Sequence, residues 1–345
     1  MSKVKNVERD FLFQLTNGAS DTISTVNYID MMQCHALVNR FATRQGMNVL
    51  IESLEIGVQT GGAFTASILR LPQHWACVNS WTKSMALWLK QQNERAEQTD
   101  LESTIARYRD FKIHFDEDHQ DAGFSANLIP SGFSIDDGGS TEDAYQWAAS
   151  EVVIPNDTTP GNTTERQLHM LGDDVGSASA GMILAYAQSR SRPQQTDPNI
   201  VDVPSGGLFG EMFDVGEDTG DIVTNMQDKN SNPPYLMGLD GPDSYYPGGA
   251  FQGIGPNQAS SGGKVPGQFV DTLSVNASQN YNSDMTGQFP APCGLIKICI
   301  EAAGVGISPG PVRAGEAVGG PLWCRVRLAP GMYQGIAAVS MQEAN

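Results

Sequence analysis

The chain has 345 residues, 40% of them apolar, with 37 Gly and 19 Pro, which allows a substantial core threaded by many turns and long connections. A formal net charge of −18 excludes a generic nucleic-acid binder, because phosphate affinity comes mostly from Lys and Arg. Five cysteines (Cys34, Cys77, Cys293, Cys299, Cys324) show no CxxC and no zinc spacing, which points to free thiols and intracellular assembly rather than a disulfide framework.

The opening MSKVKNVERD has no apolar run behind its lysines, so no signal peptide is expected, and no stretch reaches the length of a membrane span. Sequons at Asn156, Asn162 and Asn276 then read as chance matches. Phe11 to Asn17 reads as a short strand, and Thr22 to Met32, rich in β-branched and aromatic residues, as another. From Met47 to Leu71, Leu54, Ile56 and Val58 alternate with polar residues. After Thr60-Gly61-Gly62, Phe64, Ala66 and Ile68 do the same. Period-two alternation on both sides of a glycine turn predicts a β-hairpin with one face that needs a second sheet over it.

The segment after Pro72 is the clearest helix: Val78, Trp81, Met85 and Trp88 recur at spacings of three and four, and Leu89 widens the stripe. Its tryptophans read as core. Tyr108 to Phe115 alternates until the acidic run Asp116-Glu117-Asp118, and 121–143 is loop-like. Tyr145 to Ile154 and Gly181 to Gln188 read as strands.

Between Pro193 and Gly263 there is one basic residue, Lys229, against ten acidic ones. The stretch 193–267 therefore reads as an acidic, Gly/Pro-rich surface insertion with aromatic anchors. Regular patterning returns in Gln268 to Val275. Gly294 to Glu301 sets Ile296, Ile298 and Ile300 against Leu295, Lys297, Cys299 and Glu301. Leu322 to Leu328 turns Leu322, Cys324, Val326 and Leu328 inward and Trp323, Arg325 and Arg327 outward, and Ile336 to Met341 ends the series.

Three kinds of chemistry are worth placing. On an extended strand His114, Asp116 and Asp118 would share a face that could serve a cation, and Glu217, Asp218 and Asp221 could offer oxygens to Ca²⁺ where subunits meet. Neither spacing matches a zinc or EF-hand pattern, and a solvated acidic loop is the plainer reading of both. No G-x-S-x-G elbow, P-loop or dinucleotide fingerprint is present, so no enzyme and no bound cofactor is expected. Lys297, Arg313, Trp323, Arg325 and Arg327 could form a small cationic and aromatic surface for a nucleic acid if the last two long strands are neighbours. Otherwise these cations guard exposed strand positions.

The order of elements resembles the jelly-roll capsid proteins of small single-stranded DNA viruses with circular Rep-encoding genomes. The resemblance rests on ESLEIGVQTGGAFTASILRLP, WACVNSWTKSMALW, RYRDFKIHF, APCGLIKICIEA and PLWCRVRLAPG, about half the chain. It implies an all-β, antiparallel jelly-roll β-sandwich with one prominent helix and long loop insertions, a single elaborated domain over 1–345. It further implies a coat protein that self-associates into an icosahedral shell around a single-stranded DNA genome, located in the virion. Tyr235, Tyr245, Tyr246 and Phe251 would then anchor subunit contacts. Two features depart from that family: only Lys3, Lys5 and Arg9 stand where a long basic arm is usual, and the charge is strongly negative. They leave open a double jelly roll with halves near 1–190 and 200–345, of the kind that surrounds a membrane, and, from another class, a β-sandwich carbohydrate-binding or adhesion module.

Overall fold

A computed structural model describes residues 7–15, 25–58, 62–98, 108–132, 147–155, 163–172, 178–191, 267–277, 282–302 and 322–344. The chain divides into two compact units, one from Met1–Pro72, Ser125–Trp147 and Phe251–Ala344, the other centred on Gln73–Phe124 and Ala148–Ala250.

The first unit is two antiparallel sheets. One has β3 (Met47–Val58) at its centre. Along one edge of β3 run β12 (Leu322–Leu328) and β14 (Ala338–Ser340), and along the other β9 (Asn282–Met285) and β10 (Phe289–Ala291). Beyond β12 lies β1 (Asp10–Leu15). The second sheet runs β2 (Thr25–Asp30), β11 (Leu295–Ala302), β4 (Gly62–Arg70), β8 (Gln268–Ala277). Alternation drives the stacking. Phe11, Phe13, Ile56, Cys324 and Val326 from one sheet share a single buried cluster with Ile29, Ile68, Val275, Ile296 and Ile298 from the other. The outer edges of β1 and β2 are met by one segment, through Ser131 N–H to Leu12 O (2.6 Å) and Leu128 N–H to Tyr28 O (2.8 Å).

Strands from the two ends of the chain thus share one interior, and 1–190 and 200–345 do not form separate sandwiches, because β12 lies between β1 and β3. One expectation is overturned: β3 and β4 are not a hairpin. They pair with different neighbours in different sheets. Alternation and a glycine turn fix two strands and a reversal, but not whether the second strand returns beside the first or crosses the core. A second correction is helix α1 (Met31–Asn39), which ends the strand expected to reach Met32.

In the second unit the long helix α2 (Trp75–Gln98) forms as its stripe requires, and Trp81 and Trp88 close on Phe111 at ring-centroid distances of 5.9 and 5.7 Å. β5 (Glu151–Pro155) pairs antiparallel with β6 (Thr163–His169), which pairs in parallel with the short β7 (Ser179–Gly181). Tyr108 to Phe115 is extended and buried from Phe111 onward but is not a strand. It meets β6 and the two residues after it where His114 N–H reaches Leu168 O (2.9 Å), Met170 N–H reaches His114 O (3.0 Å) and Leu171 N–H reaches Phe115 O (3.1 Å). Helix α3 (Glu117–Ala122) follows it. Gly181 to Gln188, expected as a strand, is mostly helix α4 (Met182–Ser191). An apolar run without period is silent between the two states, and Met, Leu and Ala are strong helix formers.

Candidate functional site

On β12 the expected alternation holds, with Arg325 and Arg327 exposed and Trp323 half-buried. Register places Leu12, Arg325, Glu55 and Met285 in one row across the outer face, and Gln14, Trp323, Gly57 and Ser283 in the next. Asp10 takes up both arginines: Arg325 Nε donates to Oδ1 at 2.7 Å and its Nη2 to Oδ2, while Arg327 Nη2 reaches Oδ2 at 3.2 Å. The hydrogen bonds from Arg325, more than those from Arg327, hold the Asp10 carboxyl below its usual range. Trp323 fills the space a Cβ on Gly57 would need, 2.2 Å from Cζ2. Its indole is packed on the sheet rather than presented as a stacking platform.

Lys297 does not join this row. β11 belongs to the other sheet, where Lys297 is only 6% exposed and its Nζ sits 5.4 Å from the centre of the Tyr28 ring. The expectation that Lys297 and the two arginines share one outward surface is therefore corrected. Arg313, the interface candidates Tyr235, Tyr245, Tyr246 and Phe251, and the candidate cation ligands Glu217, Asp218 and Asp221 lie outside the described residues. So does the acidic segment from 193 to 266.

The cation reading of His114, Asp116 and Asp118 is also corrected. The chain leaves the extended state at Asp116, whose side chain caps α3 by accepting from His119 N–H at 3.0 Å, and Asp118 is exposed on that helix. Among the described residues no three His, Cys, Asp or Glu side chains are placed to hold a metal ion.

Two buried polar constructions went unread in the sequence. In the first unit Asp30 is fully buried at the β2–α1 junction. Its Oδ1 accepts from Met32 N–H (2.9 Å) and Gln33 N–H (3.1 Å), and its Oδ2 from Gln45 Nε2 (2.8 Å) and Trp147 Nε1 (3.0 Å). Burial pushes the carboxyl up to about 6, and the four donors oppose that rise. Asp30-Met31-Met32-Gln33 carries the D-x-x-Q spacing of a helix start, a signal that was available.

In the second unit three imidazoles from three elements meet. His114 comes from the extended segment, His119 from α3 and His169 from β6, each at most 1% exposed. His114 stacks on Phe124 (4.2 Å, 21°) and meets His119 edge-on at 5.0 Å. His119 Nδ1 accepts from Phe115 N–H at 2.9 Å, and His169 Nδ1 lies 2.8 Å from Leu171 O, a distance that assigns it the proton. Burial above all, then the neighbouring His119, pushes His114 down to about 3. Spacings of five and fifty residues along the chain carry no sign of this cluster.

All five cysteines are buried and free. Compared with protein-family models, curated proteins and solved structures, the chain matches none.

Proposed function

We propose that the first unit is a jelly roll and that the protein is a capsid subunit which self-associates into a closed shell. The observation that carries the reading is strand order. With β9 and β10 counted as one interrupted strand and β13 (Pro330–Tyr333) and β14 as an appendage, eight strands remain in chain order, and the sheets run first-eighth-third-sixth and second-seventh-fourth-fifth. Each strand sits across the core from its successor except at the fourth-to-fifth step, which is the wrapping of two Greek keys around one interior. That wrapping serves lectins and cupins as well as coats, so the fold alone does not select the activity. What favours a coat is the layout resemblance together with the free, buried thiols of a chain whose core needs no covalent staple.

On this reading the arginines of β12 organise the sheet's own outer face, since Asp10 engages both. Sedimentation and electron microscopy of the purified chain test the proposal. Closed particles of uniform diameter support it, and a monomer at every concentration and ionic strength overturns it.

A further inference from the structure

The three-imidazole cluster of the second unit has a property independent of the shell reading. Its nitrogens are committed to the neutral state. His119 Nδ1 must keep its lone pair to accept from Phe115 N–H, so a proton there would set two donors head to head at 2.9 Å. His169 already donates from Nδ1 to Leu171 O, so a second proton could go only to Nε2, inside the buried cluster. His114 is held between the His119 ring and Phe124, where a charge would be taken out of water beside two further imidazoles.

Two neighbours favour a proton on His114, the Gln167 side chain and the buried Asp116 carboxylate, each by less than burial and the His119 imidazole oppose it. Asp116 is engaged as the cap of α3. Asp110 and Lys112, on the same extended segment, pair with each other at 3.2 Å. Arg166 alternates to the other face of β6 from His169, and Glu165, Asp118 and Asp121 are exposed. Glu117 is half-buried at the start of α3, Glu151 of β5 accepts from the neutral Gln167, and β7 brings no ionisable side chain.

We propose that this cluster is an acid-sensitive lock: when it takes up protons the Phe115–His119 bond breaks, α3 leaves, and the second unit opens while the first stays folded. Among the described residues the first unit has one buried imidazole, His35, which burial pushes down to about 4, and one buried carboxyl, Asp30, pushed up to about 6. As acid is added across that interval, protonation of the unfolded chain's histidine draws stability from the first unit while the Asp30 proton returns it. Among the described residues of the second unit the buried carboxyl that faces the cluster is Asp116, and it is already held by the His119 N–H as the cap of α3.

Hydrogen exchange of the full chain, read by mass spectrometry from pH 7 to pH 4 and corrected for the intrinsic rate, tests this. Peptides covering 108–124 and 163–172 should open together, with an opening constant that rises about tenfold per pH unit for each proton taken up, approaching ~1,000-fold for three. Peptides covering 47–58, 295–302 and 322–328 should stay protected. His114→Phe keeps the stack on Phe124 and should remove one proton from that slope. If it does not fold, His169→Asn, whose amide can still donate to Leu171 O, makes the same reading. Opening of both units at one pH, a slope unchanged in the variant that folds, or a stoichiometric divalent metal found in the purified protein by elemental analysis would each overturn the proposal.

Discussion

Replacing Asp30 by Asn isolates what a buried carboxylate without a cation does to the first unit. Its carboxyl, ordinarily at 3.8, is raised to about 6 by burial. Below 3.8 both folded and unfolded chains hold the proton and there is no penalty. As pH rises the unfolded chain ionises first, so stability falls between 3.8 and 6, and the loss is complete above 6. A rise of about two pH units corresponds to ~3 kcal/mol. Asn is neutral throughout and caps a helix as well as Asp does. Its amide turns two donors toward existing donors: Gln45 can rotate to present its carbonyl, whereas the Trp147 N–H cannot, an offset of about 1–3 kcal/mol that does not vary with pH. Asp30→Asn should therefore be the weaker protein at pH 4 and gain on the native one by ~3 kcal/mol on reaching pH 7. Urea unfolding of both proteins at pH 4, 5, 6 and 7, followed by hydrogen exchange in peptides spanning β2 and α1, measures the difference, from which His35 and every other titration cancel. A difference flat with pH, or one that moves the other way, would mean that the four hydrogen bonds outweigh burial, and the reasoning would fail.

Other outcomes follow from the outer face and from α2. Gly57→Ala drives a Cβ into the Trp323 indole and should lower stability by about 1–3 kcal/mol; in a Trp323→Ala background the same change should be nearly neutral, as a double-mutant cycle by thermal unfolding would read. Asp10→Ala releases Arg325 and Arg327 from an exposed network, so unfolding should shift by no more than about 1 kcal/mol. If those arginines can meet phosphate at all, the same variant should bind single-stranded DNA more tightly at low salt than the native chain does, by fluorescence anisotropy. Trp81→Ala removes a ring packed on Phe111 and should destabilise the second unit by about 3–5 kcal/mol, seen as faster exchange in α2 and β5 while β3 and β11 are unchanged.

Some of this architecture was legible and some could not be. β12 was read residue by residue because it has one wet and one dry face, so its alternation is complete. β11 was half read. Ile296, Ile298 and Ile300 face the core as expected, but Leu295, Lys297 and Cys299 on the other face are buried too, and a lysine at an alternating position looks like an outward residue whether or not anything covers it. The partnership of Asp10 with Arg325, 315 residues away, has no local trace. Neither has the crossing from β3 to β4, since a turn reports only a reversal. Of the three helices that the pattern of apolar residues does not announce, α1 and α3 begin with an Asp whose side chain caps the turn, at Asp30 and Asp116; capping chemistry marks both in the sequence and takes Asp116 out of any cation site.

The position of β12 has a consequence for how the molecule is made. It is the last long strand off the ribosome, yet it belongs in the interior of its sheet, flanked by the two earliest-made members, β1 and β3. Until residues 322–328 emerge, those two ribbons present bare hydrogen-bonding edges and an uncovered oily side, and nothing synthesised sooner fills the slot between them. A nascent chain halted near residue 302 should accordingly need a holding chaperone, whereas one released whole can close by a single late insertion.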